Sequence, residues 1–206
     1  MEVPARLAQR MFLLAYNPDK GRVAIGSHLG ALLRAAALAD LYVTGHLADE
    51  RGRAVVTRHP CHDPVLLPLL EEIAASRPRK WQVWVGRRQR HLIRETRRQL
   101  GDGGWVRLEP YKILGLFPAT RVTVRDPRVR KELIGRVTGA LKKPIDRVDP
   151  ADAALVAIVA AGDLKIVLDR QRRRANKRRL RELTALSGPI GPALRRAIEE
   201  ASSAGG

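Results

Sequence analysis

Three side chains able to ligate a metal or pair as nucleophile and base, His59, Cys61 and His62, fall in one short loop. A structural zinc site needs about four ligands in a recognisable spacing. This loop supplies three, and no second cluster completes it. Cys61 has no histidine at an activating spacing and reads as an ordinary thiol. His28, His46 and His91 are scattered. So are Asp126, Asp146, Asp149, Asp152 and Asp163, which fall at loops and helix ends, where carboxylates cap helices. Gly101-Asp102-Gly103-Gly104 follows a helix and leads into a strand, the reverse of the order in a phosphate-cradling loop. No catalytic residue, metal or cofactor is expected, and an enzyme is the least expected class.

The chemistry this chain does carry is cationic. Lysine and arginine number 39 against 21 acidic residues, a formal net charge of +18 in 206 residues. Arginine dominates, and its planar fork grips phosphate oxygens while staying charged when desolvated. A phosphate-bearing partner follows, either a lipid or a nucleic acid. The single cysteine excludes an internal disulfide and fits a cytosolic setting. Residues 1–10 lack an apolar signal core. The longest apolar stretch, Ala153 to Ala161, is far short of the roughly 20 residues a spanning helix needs, so any membrane role is peripheral.

The elements that position these charges read as mostly helical, with a core built from leucine, alanine and valine rather than from aromatics, which make up 4%. A helix is expected at Leu7 to Leu14. A second follows a Ser27 cap, with Leu29, Leu32, Leu33, Ala36, Ala37 and Leu41 in a stripe and Arg34 off it, facing solvent. Residues 46–57 read as a small hairpin and Pro64 to Ile73 as a helix. From Lys80 to Leu100 one basic amphipathic helix is expected, with Trp81, Val85, Leu92, Thr96 and Leu100 on its inner face and Arg87, Arg94 and Arg98 outside. Arg90 and Arg97 lie close to these. Strands are expected at Trp105 to Leu108 and Arg121 to Arg125, joined through a turn at Pro110 to Gly115. Helices follow at Val129 to Leu141, after an Asp149-Pro150 cap, along Arg170 to Arg181, and at Ala193 to Ala201 beyond a turn at Ser187 to Pro192. The expected fold is mainly α: a single globular helical domain over residues 1–201 with short β-hairpins, one of them projecting and apolar, and a disordered tail over 202–206.

Three stretches carry a resemblance to a known family: Leu7-Ala8-Gln9-Arg10-Met11-Phe12-Leu13-Leu14-Ala15 with Asn17-Pro18-Asp19-Lys20-Gly21; Leu33-Arg34-Ala35-Ala36-Ala37-Leu38-Ala39-Asp40-Leu41 with Thr44-Gly45-His46-Leu47; and Asp149 to Ala160. In order and spacing they resemble the Golgi phosphoprotein 3-like family, in a short bacterial form, over nearly the whole chain. The resemblance implies a helical domain with a projecting hairpin and a basic pocket for phosphatidylinositol 4-phosphate. It also implies an adaptor role toward membrane glycosyltransferases. The family pocket uses a tryptophan, an arginine nine residues later and two arginines on a later helix. The first arginine matches Arg34. Ile25 stands at the tryptophan position, a departure that weakens the implied preference for that one headgroup. The last two fall near Arg90 to Arg97, with Arg90 or His91, and Ile93 or Arg94, as competing matches. The family hairpin corresponds to Tyr111, Ile113, Leu114, Leu116 and Phe117.

The first expectation is therefore a cytoplasmic module, peripheral on the inner face of the membrane. It would grip anionic phospholipid headgroups with Arg34, Arg90, His91, Arg94 and Arg97. Its apolar hairpin would meet the bilayer or a second copy of the chain. The alternative is nucleic-acid binding through a winged-helix-like surface. A third expectation is an adaptor holding a membrane enzyme as client. Against nucleic acid stand the lack of stacking aromatics and the few Asn or Gln base readers on the basic helix.

Overall fold

A computed structural model describes residues 2–23, 28–57, 61–113 and 116–203, and at 113, 117 and 118 the backbone alone. More than half of the described residues are helical. Helix α1 (Leu7–Ala15) leads through the paired residues β1 (Tyr16–Asn17) and β2 (Arg22–Val23) to α2 (Leu29–Val43). Helix α2 is the axis of the fold. Every residue from Leu29 to Leu41 is buried, because α1, α4, α5, α7 and α10 pack around it. A helix apolar all round has no solvent side, so the expectation that Arg34 faces water fails: it is 4% exposed. Ser27, expected to cap α2, lies outside the described residues; the residue before the helix is His28.

The hairpin β3 (Leu47–Glu50) and β4 (Arg53–Val56) forms where the sequence placed it, with Arg51 and Gly52 both at positive φ in the turn. A third short strand, β5 (Arg79–Lys80), pairs with β4. Between them lies α3 (Leu67–Ala74), which turns Leu69, Leu70 and Ile73 inward. Asp63 accepts hydrogen bonds from the backbone of Val65 and Leu66 just ahead of it.

The single basic helix expected from Lys80 to Leu100 is two helices. Helix α4 (Trp81–Gly86) stops at glycine, and α5 (Gln89–Asp102) begins after Arg88, whose φ of 45° is left-handed. The expected inner face survives the break, with Trp81, Val85, Leu92, Thr96 and Leu100 all buried. Gly30 makes the junction possible, since a Cβ there would sit 2.5 Å from Gln89 Cβ.

Strands β6 (Val106–Ile113) and β7 (Phe117–Val124) form one long antiparallel hairpin. They run through the region expected to turn from Pro110. Proline is tolerated in a two-stranded ribbon because each strand has an unpaired edge. Val106 and Val122 anchor the base against the core, while Tyr111 and Leu116 near the tip are exposed, Leu116 by 77%.

Helices α6 (Pro127–Ala140) and α7 (Pro150–Ala161) are capped by Asp126 and Asp149, whose side chains accept from Arg128 and Ala151 N–H. The charge run expected as one helix from Arg170 is α8 (Arg170–Ala175) and α9 (Lys177–Leu186), parted at Asn176. Helix α10 (Ile190–Ser203) starts earlier and ends later than expected, and packs on α7, α4 and α2. Residues 204–206 of the expected tail lie outside the described ones.

Gly188, at φ +66°, turns the chain from α9 into α10, and a Cβ there would meet the Tyr42 ring at 2.7 Å. Tyr42 in turn packs edge-on to Trp81. Gly188→Ala combines a strained backbone with a clash against a fixed ring. It should cost about 1–3 kcal/mol in denaturant unfolding. A loss within error of zero would show that the turn and Tyr42 move freely.

Candidate anion-binding cluster at Arg34

Arg34 projects from the middle of α2 toward α3 and the end of α4. Its Nε donates to the carbonyl of Trp84 at 3.0 Å, and a terminal nitrogen donates to Glu72 Oε2 at 2.6 Å. Burial pulls this guanidinium below its ordinary value, and the hydrogen bond and charge of Glu72 pull it back up. Arginine remains charged even so.

Glu72 is where the charges meet. It lies on α3 with its side chain 9% exposed, and its other oxygen, Oε1, is 3.4 Å from Arg87 Nε and 3.7 Å from Arg88 Nε. That oxygen is buried and accepts no hydrogen bond from the described residues. Three guanidinium groups thus surround one carboxylate, an excess of two positive charges. Arg34 is the buried floor. Arg87 and Arg88 are the accessible rim, with side chains 41% and 69% exposed. Arg87 also lies over the ring of Trp84, 5.4 Å from its centroid, while the buried indole N–H of Trp84 has no partner among the described residues.

The break between α4 and α5 produces this geometry. Continued as one helix, the segment would spread Arg87 and Arg88 along the surface. With Gly86 ending α4 and Arg88 left-handed, both turn back onto Glu72.

The other residues expected in the pocket stand along α5. Arg90, His91 and Arg94 are exposed, and Arg90 and Arg94 have no carboxylate partner among the described residues. Arg97 is half-buried over the Phe12 ring, and burial lowers its pKa. None of these reaches Glu72, so the cluster is built from Arg34, Arg87 and Arg88. The sequence signalled Arg87 as part of a basic face. It carried no signal to single out Glu72, one of two adjacent acids in α3, or for the turn at Arg88. Ile25, at the family's tryptophan position, is outside the described residues, as are the side chains of Ile113, Leu114 and Phe117. Among the hairpin residues, Tyr111 is exposed beneath Arg121, 5.5 Å from ring centroid to guanidinium carbon. His59 also lies outside the description, Cys61 is partly buried against the core and His62 is exposed.

The architecture and the cluster define a class: a mostly helical, strongly basic module with a projecting hairpin and a cationic surface site. Residues 7–201 match the family model described as Golgi phosphoprotein 3 (GPP34), and the chain belongs to that family. No curated protein matches it. No helix among the described residues is long and apolar enough to cross a membrane.

Proposed function

We propose that this protein is a peripheral membrane-binding module that holds a phosphate-bearing lipid headgroup at the Arg34, Arg87 and Arg88 cluster. One observation carries the reading: three guanidinium groups share a single carboxylate, one of whose oxygens is left without a hydrogen bond among the described residues. An incoming phosphate supplies the acceptors the cluster lacks. Arg87 and Arg88 swing outward from Glu72 to meet it, and Arg34 keeps Glu72 in place. Each charge-assisted hydrogen bond to phosphate is roughly twice as strong as a neutral one. The exposed cations of α5 add long-range attraction to an anionic surface, about 1 kcal/mol each near the membrane. One headgroup holds a protein weakly, so a second signal is required. The hairpin tip with Tyr111 and Leu116 supplies it by entering the interface.

Family membership supports phosphatidylinositol 4-phosphate as one headgroup to test. Sedimentation with neutral vesicles carrying that lipid, phosphatidylglycerol or phosphatidylserine, at matched surface charge, separates recognition from simple attraction. Arg87→Ala/Arg88→Ala should weaken pelleting by on the order of tenfold or more for the recognised headgroup, with folding unchanged because both side chains are exposed. Pelleting that follows surface charge alone, is unaffected by this pair and is abolished by duplex DNA would defeat the proposal in favour of nucleic-acid binding.

A further inference from the structure

A cavity of about 750 Å³ lies between α9 and α10, remote in sequence from the Arg34 cluster. Its size is that of a small-molecule site. Lys177 and Arg181 reach it from α9, one helical turn apart, and Arg195 and Arg196 reach it from α10. All four are exposed, and none makes a hydrogen bond or ion pair with any other described residue. The neighbouring basic residues differ. Arg178 and Arg179 share Glu182, and Arg173 at the cavity edge is held by Asp163 and by the carbonyl of Ala160. Four unpaired cations thus face one cavity, where Glu199 is the one acid among the described lining residues. Between them the wall is apolar, made by Leu180, Ala185 and Pro192.

We infer that this groove is a second anion site, occupied by an anionic phospholipid whose phosphate meets the four cations and whose first acyl carbons lie on the apolar wall. Four like charges around one small cavity repel one another and are relieved by a bound anion. The apolar wall between them suits an amphiphile rather than an inorganic ion. A nucleic-acid strand fits less well, because no aromatic side chain among the described residues lines the groove for bases to stack on. The choice of a membrane lipid as the source rests on the reading proposed above; the groove and its unpaired cations do not.

The test isolates the groove by working in the full-length Arg87→Ala/Arg88→Ala background. The probe is soluble dihexanoyl phosphatidylglycerol below its micelle concentration, titrated by calorimetry. Binding should persist in that background and weaken by on the order of tenfold or more when Arg195→Ala/Arg196→Ala is added. Ala185→Glu, which places a carboxylate on the exposed wall, should weaken it as well. Inorganic phosphate should bind far more weakly than the lipid. The inference is overturned if the lipid does not bind, if the Arg195 and Arg196 substitutions leave its affinity unchanged, or if inorganic phosphate binds as tightly. It is likewise overturned if the groove substitutions abolish binding of a short DNA duplex while lipid binding stays unaltered. The two sites fail separately. Vesicle pelleting that survives Arg87→Ala/Arg88→Ala but is lost with the groove substitutions rejects the first site and keeps this one.

Discussion

Glu72→Leu should destabilise the protein by about 3–5 kcal/mol, the cost of leaving a buried charge without its partner. Arg34 is 4% exposed in a helix enclosed on all sides. Without Glu72 its guanidinium keeps one hydrogen bond, to the Trp84 carbonyl, and has no anion. Arg87 and Arg88 already repel Arg34, and that repulsion would no longer be offset by the carboxylate that all three share. Arg34→Met alone should cost less, because Glu72 still has the two rim arginines within reach. Arg34→Met/Glu72→Leu should recover most of the loss, since an apolar pair of similar volume replaces a desolvated ion pair at little net cost. Chemical denaturation of the four species gives the coupling directly. If Glu72→Leu costs under about 1 kcal/mol, water reaches Arg34 and the buried-floor account of the cluster is wrong.

The same cycle separates folding from binding. Glu72→Gln keeps the shape and an acceptor for Arg34 but raises the excess charge of the cluster from two to three. Vesicle binding should tighten in that variant even as stability falls. A residue that only held the fold would move both in the same direction.

Much of the helical frame was legible in the sequence because its signals are local. The Asp149-Pro150 cap, the hairpin turn at Arg51-Gly52 and the Leu29 to Leu41 run each depend on residues a few positions apart. The inner face of α4 and α5 was legible too, since Trp81, Val85, Leu92, Thr96 and Leu100 keep a helical spacing across the break. The break itself was hidden. Gly86 is a weak stop signal, and a left-handed arginine at 88 is forced by tertiary packing rather than by its own preference. Arg34 was misplaced for a related reason. Periodicity assigns it to the polar side of a helix, but α2 has no polar side once five helices surround it. Its partner Glu72 lies 38 residues away, a separation that no local pattern encodes. The basic groove was half visible. The charge run from Arg170 stood out, but the apposition of Lys177 and Arg181 to Arg195 and Arg196 follows from how α9 folds back on α10.

Asp40→Asn should make the protein's stability less sensitive to pH between about 4 and 8. Asp40 sits near the end of α2, 7% exposed, and its Oδ2 accepts a hydrogen bond at 2.8 Å from the N–H of Leu7, the first residue of α1. It thus caps a helix 33 residues away in sequence, where a negative charge also favours the helix dipole. Burial nevertheless dominates and pushes the carboxyl up to about 7, against the opposing effects of the Leu7 hydrogen bond and the charges of Arg6 and Arg10. In the unfolded chain the same group titrates near 4. Across the window between, the native state keeps a proton that the unfolded state has lost. The associated stability is full below about pH 4 and is lost as pH rises through about 7. Asparagine cannot titrate, yet its amide oxygen can still accept from Leu7. Asp152, also pushed up by burial, and the half-buried carboxylates Glu95, Asp126 and Glu182, pulled down by arginines, are common to both proteins and cancel in the comparison. The stability of wild type relative to Asp40→Asn should therefore fall by on the order of a few kcal/mol from pH 4 to pH 8, read from denaturant unfolding at each pH. A difference that stays constant over that range would show Asp40 to be ionised throughout, with the desolvation cost met by Arg6, Arg10 and Leu7 together.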